Sequence, residues 1–218
     1  MSEASSAPTP ASAPPTTQRS ADARNARRQS ILEAAMDCFA RDGFHGTSMQ
    51  KICQEAGMSP GALYRYFPSK ESLIAAIVSE ERTERLHVFD TVTQAPAILP
   101  AMLETIAEIL RDHSLPTARL GPEIMAEAIR NEPLRNAIEP VEQETRDMLR
   151  DMLHTAMARG EIAPELNLED VLVMFQIMGD GVVLHHQLHP EWNMPDRMNR
   201  LGILIQRMLA PHQTKAQD

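Results

Sequence analysis

Residues 59–70 hold the side chains with most to do: Ser59-Pro60-Gly61-Ala62-Leu63-Tyr64-Arg65-Tyr66, then Phe67-Pro68-Ser69-Lys70. These types suit a surface that reads DNA. Gly61 and Ala62 are small enough to let a helix N-terminus approach base edges in the major groove, and Ala62 matches a thymine methyl. Tyr64 offers an aromatic body and a hydroxyl, with Arg65 beside it. The hydroxyls of Thr47, Ser48, Ser59 and Tyr66 can donate to phosphate oxygens, and exposed helix N-termini attract phosphate as well. Lys70 adds a cation within phosphate reach. No motif places a glycine-rich phosphate loop, a nucleophile elbow or a Ser/Cys–His arrangement, so no enzyme is expected.

Local signals say how these residues are held. Thr47 precedes Gln50 by three, the spacing of a capping box, which predicts a helix starting at Ser48. Ile52 and Ala56 share one face of it. Gly57 ends it, because glycine accepts the left-handed turn at a helix C-terminus. Ser59 caps a second helix with Pro60 at its first position, and Pro68 stops it. Ser69 caps a third, with Glu71 in its first turn. Two short helices around a glycine turn form a helix-turn-helix. An amphipathic segment from about Ala26 to Asp42, closed by Gly43, and a following one carrying Leu73, Ile74, Ile77 and Val78 must brace it. Leu63 and Phe67, four apart, then point inward and leave Gly61, Ala62, Tyr64 and Arg65 outward.

The stretch from Gly43 through Thr47, Ala56-Gly57, Ser59, Gly61, Leu63-Tyr64, Tyr66-Phe67, Lys70, Glu71 and Leu73 resembles the N-terminal signature of the tetracycline-repressor (TetR) family. The likeness runs from Ile31 to Val78. It implies an all-helical, homodimeric transcription regulator, in most cases a repressor released from its operator by a small ligand. It also implies DNA contacts by Thr47, Tyr64, Tyr66 and Lys70, and a pairing of the last long helices across a two-fold axis.

Charge is divided along the chain. Residues 19–70 carry a net +3 and residues 71–218 a net −11. A positive head on an acidic body orients toward DNA, although acidity also simply keeps a protein soluble. Fifteen of the first eighteen residues are Ala, Ser, Pro or Thr, too little apolar surface to offset ordering, so this segment is expected to be disordered. It lacks the basic start and apolar run of a secretory signal. Arg27 and Arg28 follow as a basic arm for phosphate or the minor groove, or as a solvated helix start.

The expected architecture is all-α, with a tail over 1–22, a helix-turn-helix DNA-binding domain over 23–72 and a helical ligand-binding and dimerisation domain over 73–212. A helix spanning about 70–88 joins the last two. In the body, helices are predicted near 97–112, 122–130, 133–159, 167–188 and 195–209. No apolar run approaches twenty residues, so no membrane span is expected. Apolar surplus along 141–157 and 168–188 marks two candidate dimer helices, with Gly179 and Gly181 allowing close approach of a partner. Ten of the fourteen Met lie beyond residue 90. Met102, Ile106, Met125, Ile129, Met148, Met152, Met174 and Met178 are candidate pocket residues, or ordinary core fillers. Scarce aromatics point to a lipophilic inducer of low charge. His185, His186 and His189 invite a metal reading, since His185 and His189 share a helix face at a spacing that can hold zinc. A third ligand such as Asp180 or His154 would be needed, no Cys pair supports it, and a polar helix end facing the dipole is the alternative. No cofactor or metal is expected. Cys38 and Cys53 suit buried positions in a cytoplasmic protein.

Overall fold

The computed structural model describes residues 16–112 and 116–211. Ten α-helices fill them, and no strand is found among the described residues. The first is α1 (Thr16–Gly46), broken at Gly43, whose φ of 70° is the left-handed turn expected there. It starts earlier than predicted, inside the expected tail. Residues 18–28 hold Gln, Ala and Arg with no Gly or Pro, so helix propensity extends the element backward. Residues 1–15 of the tail lie outside the described residues.

Then come α2 (Met49–Glu55), α3 (Pro60–Tyr64), α4 (Lys70–Glu80) and α5 (Arg82–Gln94). The cap of α2 is Ser48, whose hydroxyl oxygen accepts from Lys51 N at 3.2 Å, one residue later than the predicted Thr47. Gly57 turns the chain with φ 61°. Pro60 starts α3 without a side-chain bond from Ser59. Ser69 and Ser72 form a reciprocal capping box on α4. The single linker helix expected over 70–88 is two helices, because the backbone at Glu81 opens to ψ −3°.

The body comprises α6 (Ile98–Asp112), α7 (Pro116–Ala128), α8 (Glu132–Ala158), α9 (Leu168–Leu188) and α10 (Met194–Leu209). The helix predicted from 122 begins at Pro116 and runs through Pro122. Proline removes one backbone donor but does not always end a helix. Pro140 lies inside α8 in the same way. α9 is long and apolar enough to cross a membrane by length and composition alone, against expectation. It carries Asp180 at mid-length and packs on α7, α8 and α10.

Two apolar clusters form the core. One gathers Ile31, Phe39, Ile52, Leu63, Phe67, Leu73 and Ile77 with Leu120 and Ile124 of α7 and Leu134 and Ile138 of α8. The other gathers Val92, Leu99, Met102, Leu153, Leu172, Phe175 and Ile205. α8 belongs to both, its first half in one and its second half in the other. With 27 residues, at 1.5 Å rise each, it spans roughly 40 Å and ties head to body. α10 lies against α6 so closely that a Cβ on Gly202 would meet Leu103 Cδ1 at 2.7 Å.

Candidate nucleic-acid interface

α3 is only five residues long and is held from below. Leu63 is fully buried and Phe67 nearly so. The opposite face is open, with Tyr64 52% exposed and Gly61 and Arg65 exposed. A Cβ on Gly61 would meet no atom within 4 Å, so nothing inside the chain demands glycine there. Ala62 is half-buried at the rim. Ser59, Ser48 and Arg27 are exposed as well.

Four of the proposed contact residues have other occupations. Thr47 is 2% exposed, and its hydroxyl donates to Cys38 O at 3.0 Å. It ties α2 to α1 and has no hydroxyl to offer phosphate. Lys70 Nζ donates to Phe44 O at 2.5 Å and Thr47 O at 2.9 Å, and lies 4.0 Å from the Phe44 ring centroid. It staples α4 to the α1–α2 turn. Arg28 is paired with Glu80 and lies over Phe67, so it braces α1 against α4. Tyr66 is half-buried against the core. The thiols of Cys38 and Cys53 are free and pushed up by burial, so both serve as small apolar fillers.

A polar clamp escaped sequence reading. Glu123 Oε1 of α7 accepts from Phe44 N at 2.6 Å. One turn on, Glu127 is 2% exposed and meets His45 Nε2 at 2.9 Å and Arg130 Nη2 at 2.8 Å. Asn131 Nδ2 donates to Glu127 Oε1 at 2.9 Å and to Glu71 Oε1 at 3.2 Å. Burial opposes the charge of Glu127. Hydrogen bonds from Asn131 and Arg130 and the charge of His45 more than offset it and hold the carboxyl below its usual 4.5. The two carboxylates thus grip the Gly43–His45 turn from the body. The one legible hint was their i,i+4 spacing; the Phe44 and His45 they meet lie about eighty residues back in the chain.

Five of the eight candidate pocket residues gather at the second apolar cluster. Met102 and Met152 are buried in the second cluster, with Ile106, Met174 and Met178 packed against it. Met148 is half-buried. Met125 is 42% and Ile129 82% exposed, because α7 turns Leu120, Ile124 and Glu127 inward. These two leave the pocket set. The rings of His185, His189 and Trp192 stack, the last two 4.1 Å apart, which gives the histidines a packing role.

Comparison with known proteins agrees with this geometry. Residues 31–77 match the family of bacterial regulatory proteins, tetR family, and residues 98–192 match a tetracyclin repressor-like C-terminal domain. The HTH-type transcriptional regulator UidR of Escherichia coli K12 is 32% identical over 140 residues, covering 64% of this chain and 71% of UidR. The chain belongs to the TetR family of transcription regulators. The fold is also that of Salmonella enterica GusR (TM-score 0.68, 29% identity, 83% of this chain and 95% of that one). A Bacillus subtilis FadR structure in complex with stearoyl-CoA has a TM-score of 0.68 at 19% identity, covering 81% and 96% of the two chains.

Proposed function

We propose that this TetR-family regulator is a cytoplasmic, dimeric repressor that reads a palindromic operator through α3 and is released by a small ligand bound in the helical body. The carrying observation is the outer face of α3: a half-exposed Tyr64 beside Gly61 and Arg65, standing off a core pinned by Leu63 and Phe67. Gly61, Ala62, Tyr64 and Arg65 face bases, while Ser48, Ser59 and Arg27 face phosphate. Thr47, Arg28 and Lys70 set the angle of the reading unit.

Exposed apolar side chains on the long helices support a second copy as partner. Val173, Ile177, Leu184 and Leu188 form a stripe on α9, and Ile203, Leu204 and Met208 are exposed on α10. Cβ atoms on Gly179 and Gly181 would meet nothing, which leaves room for another backbone. The apolar residues of 141–157 instead turn inward: Met152 and Leu153 are core, with Leu149 and Met157 packed on it. Two copies related by a two-fold axis would set their reading helices one DNA turn, about 34–36 Å, apart. Met102, Ile106, Met152, Met174 and Met178 give the body an adaptable apolar interior for the ligand.

The test is a gel-shift titration of the purified chain on inverted repeats near its own gene against random DNA of equal length. Specific affinity exceeds nonspecific by about 10³-fold or more in true operators. Equal affinity for both DNAs removes the repressor reading.

A further inference from the structure

Arg85 sits one helical turn beyond the break at Glu81 and is half-buried. Its Nε and Nη2 atoms are sealed from solvent and donate to no acceptor among the described residues. Glu81 and Glu144 attract the guanidinium electrostatically, and Arg82 repels it. Yet the Glu144 carboxylate is held in a fork by Arg82, with Nε–Oε2 at 2.9 Å and Nη2–Oε1 at 2.6 Å, and gives Arg85 no hydrogen bond. Burial opposes the charge on Arg85. A guanidinium presents its donors in a planar fork matched to a carboxylate or phosphate, and buried donors without an acceptor carry a full desolvation penalty. One turn along α5, Val88 and Phe89 pack against the apolar cluster with Leu149 of α8. A cationic fork therefore lies one turn from an apolar wall.

We propose that Arg85 is the anchor for an anionic group, a carboxylate, on the ligand of this regulator, with the ligand's apolar part lying toward Val88 and Phe89. This deepens the ligand-responsive reading and rests on it. The ligand is an amphiphile, in contrast to the low-charge molecule suggested by the scarce aromatics. Two charge-assisted hydrogen bonds form on binding, and the buried donors gain the acceptor they lack.

The probes are octanoate and octanamide, alike in chain and different in charge, with inorganic phosphate as a small anion. Binding to the full chain is read by calorimetry and thermal melts. Octanoate is expected to bind at least about tenfold more tightly than octanamide, and to raise Tm by roughly 5–11 °C at a hundredfold excess over Kd. Arg85→Met erases the preference, and Arg85→Lys keeps part of it. Without ligand, the Met variant melts at or above wild type, because it removes two sealed donors that lack an acceptor and keeps an apolar stem. A merely structural Arg85 predicts a fall in Tm instead.

No binding by octanoate, equal binding of acid and amide, a preference surviving in Arg85→Met, or phosphate binding as tightly as octanoate would each overturn the assignment. Operator binding is measured on the same preparation. Loss of operator recognition by the wild type sinks the regulator reading, whereas recognition without a charge preference sinks only the Arg85 anchor.

Discussion

Lys70 separates two ways of reading the head. As a phosphate contact, its removal would leave the fold alone and lower the salt slope of operator binding by about 0.9. The structure instead gives its ammonium two carbonyl acceptors, Phe44 O and Thr47 O, and the face of the Phe44 ring. A hydrogen bond to a charged group contributes about 1.5–3 kcal/mol when well enclosed. Lys70 is half-buried, so the lower end applies to each bond. The ring adds about 0.5–1 kcal/mol. Released carbonyls regain water in part, which lowers the sum to about 2–3 kcal/mol. For a chain of this length, that is a fall in Tm of roughly 4–12 °C.

Lys70→Met keeps the apolar stem and isolates the lost ammonium. Thermal melts and urea titration give the stability, and gel shifts at several salt concentrations give the slope. The expected pattern is a lower Tm with a salt slope close to wild type once the protein is folded. An unchanged Tm together with a slope reduced by about one would refute the staple and restore Lys70 to the phosphate contacts.

Tyr64→Ala is expected to leave Tm within about 1–2 °C, since exposed substitutions cost under ~0.5 kcal/mol, and to cut operator preference roughly 10- to 100-fold. Retained preference would move base reading elsewhere. Ile177→Asp puts a charge on an apolar side chain that is 66% exposed. Losing that burial twice in a symmetric pair weakens dimerisation by roughly 10²-fold or more, so sedimentation should show monomer where wild type is dimer, and an unaltered dimer would discard the α9 interface. Glu127 binds its proton less readily folded than unfolded, so its contribution to stability is complete above about pH 5 and fades as pH falls through the lowered folded value. Tm against pH should therefore drop more steeply below pH 5 for wild type than for Glu127→Gln, whereas parallel curves would show that the clamp carries no charge-dependent stability.

The helix-turn-helix was legible because its punctuation is local. Gly57, Pro60 and Ser69 each act on their own turn, and each does in the fold what its chemistry allows. The direction of Leu63 and Phe67 followed from spacing alone. What spacing cannot supply is the destination of a polar side chain once its helix has packed. Thr47 has the residue type of a phosphate donor, yet the approach of α2 to α1 buries it against Cys38 O. Lys70 finds carbonyls 23 and 26 residues back along the chain. Glu123 and Glu127 have the i,i+4 spacing of an ordinary solvated helix face. Only the packing of α7 on α1 reveals that they hold the turn above the reading helix. Met125 and Ile129 fail in the opposite sense, since apolar residues beside a true inward face land outside it. Arg85 is the extreme case. In an amphipathic helix an arginine between Glu84 and Leu86 reads as solvent-facing, so a sequence argument assigns it no function. Its sealed donors become visible only when α8 packs on α5 and Arg82 takes the Glu144 carboxylate. The residues that bind and regulate are thus those whose local pattern is most ordinary, because their role is created by the partner that packing brings to them.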